Sequence, residues 1–97
     1  MSKRSRACEI KPEVRRAVEW RDDGRCIFCK RHGRGEAHVI NRSQGGLGIE
    51  QNIVTVCRKC HDMMDNGKYS AKYREAAKEY LAEKYPQFDF SKAYFRR

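Results

Sequence analysis

Two Cys-x-x-Cys pairs, Cys26/Cys29 and Cys57/Cys60, constrain this chain more than any other feature. Two intervening residues let both thiols of a pair reach one tetrahedral ion from a tight turn. Two pairs complete a four-cysteine set, and a set with no open position marks a structural zinc site rather than a catalytic one. The rival readings are a redox Cys-x-x-Cys or unligated thiols, but a redox motif does not normally come as a matched pair. The chain has 97 residues, a size at which a hydrophobic core is marginal without a staple. Zinc binding becomes folding free energy, on the order of 10 kcal/mol. The stretch between the pairs exceeds that of a minimal zinc ribbon, so it must hold structure of its own. The fifth cysteine, Cys8, reads as a free thiol in a mobile arm.

Lys and Arg total 22 against 13 Asp and Glu, a net charge of +9. An excess of this size points to a polyanionic partner, because each phosphate neutralised releases a condensed counterion. A membrane partner is not expected: no apolar run approaches a bilayer span, and the candidate helices mix acidic with basic residues. The N-terminus is basic without an apolar h-region, which reads as the absence of a secretory signal and a cytoplasmic protein with reduced thiols.

Residues 1–10 read as a basic flexible arm, 11–69 as the core, and 70–97 as a C-terminal helix with an aromatic tail packed on it. A helix is expected from Pro12, which suits a first helical position, with Glu13 complementing the dipole. Val14, Ala17, Val18 and Arg21 recur at helical spacing, and Asp22-Asp23-Gly24 ends the run. Residues 36–40 read as a short strand, 41–48 as a glycine-rich loop and 49–56 as a second extended stretch. Residues 58–66 fit a short helix. The last helix covers about residues 70–85, with Tyr73, Ala76, Ala77, Tyr80 and Leu81 in one stripe, and Pro86 stops it.

Between the thiol pairs the chain reads Glu36-Ala37-His38-Val39-Ile40-Asn41-Arg42-Ser43-Gln44-Gly45-Gly46, then Asn52-Ile-Val-Thr-Val-Cys57-Arg-Lys-Cys60-His61. The order His, Gly-Gly, Asn and Cys-x-x-Cys-His resembles the HNH endonucleases over about residues 12–67. It is most similar to small HNH proteins of phages and prophages. The resemblance implies an α+β fold: a small zinc-stapled ββα-metal domain, HNH and treble-clef-like, with flanking N- and C-terminal helices. It implies phosphodiester hydrolysis in DNA, by nicking or double-strand cleavage. His38 matches the general base, Asn52 the residue that braces the base loop, and His61 the helical ligand of a catalytic ion. Mg²⁺ or Mn²⁺ is expected there beside the structural Zn²⁺. His38 and His61 also have plainer readings, a polar surface residue and a substitute zinc ligand. Asn52 would then simply cap a turn.

One position departs from the family. The residue before the base is often Asp or His and ligates the metal, and here it is Ala37. Asp65 lies four residues after His61 on one helix face, and Glu36 shares the strand face of His38; either would fill the gap. His38 as a ligand, or a site that binds DNA without cutting it, stays open. Arg42 is the strongest candidate for phosphate contact, with Lys30, Arg31 and Arg34 beside the first thiol pair and Arg58 and Lys59 inside the second. Lys68, Lys72 and the terminal Arg96-Arg97 add a rim. The expected partner is double-stranded DNA, with a phage terminase or other specificity factor implied by the resemblance, the protein being a monomer or weak dimer in the bacterial host cell. The competing classes are a zinc-stapled nucleic-acid-binding module without catalysis and a protein-interaction adaptor.

Overall fold

The computed structural model describes residues 2–95; Arg96 and Arg97, expected on the basic rim, lie outside the described residues. Helix α2, Pro12–Arg21, has proline in its first turn and Glu13 beside it. It stops at Asp22, after which Asp23 and Gly24 both take positive φ and turn the chain into the first cysteine knuckle. Strands β1, Arg34–His38, and β2, Ile53–Val56, pair antiparallel, with Ala37 opposite Val54 and His38 opposite Ile53. Helix α3, Arg58–Asn66, follows β2 directly, completing a ββα unit, and α4, Ser70–Lys84, packs against α3.

Every residue of β2 is buried, because both faces of the ribbon are covered. Ala37, Val39, Val54 and Val56 meet Met64 of α3 and Ala77 and Leu81 of α4 in one core cluster. Burying one such aliphatic side chain is worth about 1.5–3 kcal/mol. The opposite face meets α2, whose Val18 is fully buried. The extended stretch expected from residue 49 begins later than that. Glu50–Asn52 forms a 3₁₀ turn first, because the Asn52 N–H closes back on the Ile49 carbonyl at 2.9 Å.

The N-terminal residues differ most from expectation. Instead of a flexible arm they form a short helix, α1, Lys3–Cys8, capped by the Ser2 hydroxyl. Cys8, expected as a mobile thiol, is only 1% exposed. The cause is backbone docking: the Ala7 carbonyl accepts from the Gly48 N–H at 3.0 Å. At the other end, Phe90 packs against the core. The Leu47 N–H donates to the Ala93 carbonyl at 2.8 Å, and the Phe95 N–H to the Gly45 carbonyl at 2.7 Å. The glycine loop is therefore held from both chain ends. A Cβ at Gly46 would lie 1.8 Å from the Ile40 carbonyl oxygen, so only glycine fits there.

Arg21 and Asp22 tie the elements together. The guanidinium grips Asp22 through two bonds, at 2.7 and 2.8 Å, and donates to the Glu50 and Ile53 carbonyls, each at 2.9 Å. Asp22 also accepts from the Thr55 N–H at 3.0 Å and from the Tyr80 hydroxyl. Burial alone would raise the Asp22 pKa, but Arg21, Tyr80 and the Thr55 amide together hold it below the ordinary carboxylate value. A folded-state pKa that is depressed stabilises the fold above the unfolded value and loses that contribution as pH falls through the folded one. Asp22→Asn should therefore cost about 3 kcal/mol near neutral pH by stranding Arg21. The gap to the parent should close below the ordinary carboxylate range, measured by urea unfolding across pH.

Candidate functional site and metal centre

The first Cys-x-x-Cys pair sits in a tight knuckle: the Cys26 N–H donates to the Arg31 carbonyl at 2.7 Å, and the Lys30 N–H to the Cys26 carbonyl at 3.0 Å. The second pair opens α3, with the Cys57 sulfur as its N-cap, accepting from the Cys60 N–H. The four sulfurs of Cys26, Cys29, Cys57 and Cys60 lie within 4.8 Å of one another, and Cys29 and Cys57 are 3.5 Å apart. Tetrahedral zinc with bonds of about 2.3 Å spaces its sulfurs by about 3.8 Å, so the donor set and its span fit that ion. Burial would raise the Cys26 thiol, but backbone N–H groups of Cys29, Cys57 and Phe28 outweigh it and bring the pKa to about 7. Cys60 is pushed far up by burial and by its thiol neighbours. One cation among the sulfurs would relieve both the burial and the mutual repulsion.

The strand that leaves the knuckle ends in His38, half-buried. Its Nε2 lies 2.8 Å from the Cys8 carbonyl oxygen. Burial pushes His38 below the ordinary imidazole pKa, aided by the charges of Arg42 and His61 and opposed by the Cys8 hydrogen bond and Asp65. The shift favours the neutral imidazole, the form that can accept a proton. Asn52, fully buried, spans the loop that follows. Its Oδ1 accepts from the Ile40 N–H at 2.8 Å, while its Nδ2 donates to the Ile40 carbonyl at 3.3 Å and the Leu47 carbonyl at 2.9 Å. Its own carbonyl accepts from the Val39 N–H at 2.8 Å. Asn52 therefore fixes both arms of the glycine loop next to His38.

His61, one residue past Cys60, points its Nε2 at Asp65 Oδ2, 3.4 Å away. The i, i+4 spacing puts both on one face of α3. Glu36 lines an open cleft together with His61, His32, Arg34 and Arg58, but it is ion-paired with Arg15 of α2 at 3.3 Å. Ala37 is fully buried in the core cluster. This chain uses that position for packing, which accounts for an alanine where a ligand was looked for. Among the described residues, the four cysteines are the one group of three or more donors close enough to share an ion.

Residues 26–67 match the family model described as HNH endonuclease. The segment is an HNH endonuclease domain. Its family implies nuclease chemistry in general. No curated protein and no solved structure matches the chain significantly.

Two contributors to the HNH domain's site lie outside the matched segment and escaped sequence reasoning. Arg74 of α4 donates to the His38 and Val39 carbonyls at 3.0 and 2.6 Å, to Asn41 Oδ1 at 2.6 Å, and to Asp65 Oδ1 at 2.8 Å. It joins the end of β1 to the carboxylate beside His61. The other contributor is the Cys8 carbonyl. Neither has a local sequence signal, since the contacts of Cys8 with His38 and of Arg74 with residues 38–41 each cross thirty residues or more of chain. Of the expected phosphate-binding residues, Arg42 is exposed in a 3₁₀ turn, Arg42–Gln44, and reaches the Ser5 carbonyl at 3.3 Å. Lys30, Arg31, Arg34, Arg58 and Lys59 are all exposed. Arg34 and Arg58 line the His61 cleft.

Removing the metal should unfold the domain. A chelator strong enough to take up zinc, or Cys60→Ser, should abolish the cooperative transition seen by circular dichroism. The loss is on the order of 10 kcal/mol, and one metal per chain should be released.

Proposed function

We propose that the protein is a metal-dependent DNA endonuclease in which His38 is the general base. The observation that carries this reading is the arrangement inside an HNH domain. A neutral, half-buried His38 is braced by Asn52 and lies near a His61–Asp65 pair. His38 would take the proton of the attacking water. Asn52 acts through the loop it ties, keeping the His38 strand and the Gly45-Gly46 turn in fixed relation. His61 and Asp65 would hold the second divalent ion, Mg²⁺ or Mn²⁺. When bound, that ion supplies charge stabilisation for the scissile phosphate and the leaving oxygen. Asp65 is favoured over Glu36 because its Oδ2 already faces His61, 3.4 Å away, while Arg74 holds its other oxygen in place.

The four-cysteine centre is closed and structural in this reading, and zinc is its ion. Arg42, Arg34, Arg58, Lys59, Lys30 and Arg31 would grip the phosphates of double-stranded DNA. Contacts to phosphate position a duplex without reading its sequence, so target choice would fall to a partner such as a phage terminase or another specificity factor. A zinc-stapled binding module without catalysis is the second reading. It is favoured by Ala37, whose burial leaves the second ion one ligand short of the family plan.

The test is cleavage of supercoiled plasmid by the zinc-loaded protein with added Mg²⁺ or Mn²⁺. His38→Ala should lower the rate by about 10²–10⁴-fold with the fold intact. No cleavage with any divalent ion would favour the binding module. Asp65→Ala should weaken Mn²⁺ affinity in a titration, and unchanged affinity would reject that ligand. Arg42→Ala should weaken DNA binding across all sequences and reduce the salt slope by about 1.

A further inference from the structure

The N-terminal segment is attached to the base loop at several points. Arg4 Nη2 donates to the Ser43 carbonyl at 2.6 Å, and Arg42 Nη2 to the Ser5 carbonyl at 3.3 Å. The Gly48 N–H donates to the Ala7 carbonyl at 3.0 Å. The fit at Gly48 is close: a Cβ there would stand 2.0 Å from the Glu9 carbonyl oxygen and 3.0 Å from that of Cys8. These anchors hold the Cys8 side chain in the interior and its carbonyl 2.8 Å from His38 Nε2.

A carbonyl oxygen has no proton to give. The contact is therefore a hydrogen bond only if Nε2 carries the hydrogen. In a neutral imidazole the one remaining lone pair is then on Nδ1. We propose that the N-terminal segment, outside the HNH domain, completes the nuclease site. In this proposal Cys8 is a positioning residue whose carbonyl locks His38 in the Nε2–H tautomer, making Nδ1 the atom that accepts the water proton. This rests on the reading of His38 as the base. A ring free to exchange tautomers or to rotate would present the correct lone pair only part of the time. The strap thus acts on the rate of the chemical step rather than on DNA affinity.

The tautomer is measured on the full-length, zinc-loaded protein without DNA or a second metal, by long-range ¹H–¹⁵N correlation of the His38 ring at neutral pH. The expected result is a protonated Nε2 and a bare Nδ1. A protonated Nδ1, or an averaged pair, overturns the proposal while leaving the base assignment to stand on the His38→Ala cleavage result. Gly48→Ala then displaces the strap without touching His38, and reactivity of the Cys8 thiol reports the displacement. It should average the two nitrogen signals and lower kcat about tenfold or more with KM for plasmid little changed. Unchanged nitrogens and kcat with Cys8 exposed contradict the proposal. So does a rise in activity, which would make the segment an occluding lid. Arg4→Ala, which removes only the Ser43 anchor, should shift both readouts the same way by less. It serves as the measurement should Gly48→Ala fail to fold.

Discussion

Four sulfurs brought within 4.8 Å of one another set the frame on which the rest of this protein is built. They join the knuckle that launches β1 to the first turn of α3, across the sheet between them. His61 follows the last of these sulfurs by one residue, and His38 ends the strand that leaves the first pair. The relative placement of the two histidines is thus a consequence of closing the thiol cluster. A chain this short and this basic has little apolar surface to bury, and a metal bound among the four thiols would offset the deficit. The Arg21–Asp22 pair makes the second tie, fastening α2 to β2 and α4 through charged hydrogen bonds.

The site itself is assembled in layers. Asn52 fixes the loop from beneath, Arg74 fixes the end of β1 and Asp65 from the side of α4, and the N-terminal segment closes over His38. Each uses backbone carbonyls or amides of residues 38–48 as its anchor. The glycine loop is tied for a physical reason: the carbonyls of His38, Val39, Ile40, Ser43, Gly45 and Leu47 all accept hydrogen bonds from residues outside it. If His38 is the base proposed above, a group held in this way needs little reorganisation when a substrate arrives.

What was legible in the sequence was what has a local signature. The thiol pairs declare themselves by spacing, α2 by Pro12 and the Asp-Asp-Gly stop, and α4 by its apolar stripe. The placement of Asp65 beside His61 was legible because i+4 on a helix faces the same side as i. Glu36 was named by the same kind of local rule, alternation along a strand, which says nothing of Arg15 waiting on α2. Ala37 was puzzling as a missing ligand and makes sense as a core residue opposite Val54. Arg74 carries no signal of its own in the sequence, and residues 1–10 read as a basic flexible arm. Both gained their roles from contacts with residues far along the chain, which neither periodicity nor composition encodes.

The most direct test of the account is where a second metal binds. Crystals of the zinc-loaded protein soaked in Mn²⁺ can be measured at the manganese absorption edge. The account requires an anomalous peak bound by His61 and Asp65 on the face that carries His38, separate from the zinc among the four cysteines. Manganese found only at other positions, with His61 and Asp65 unoccupied, would contradict it.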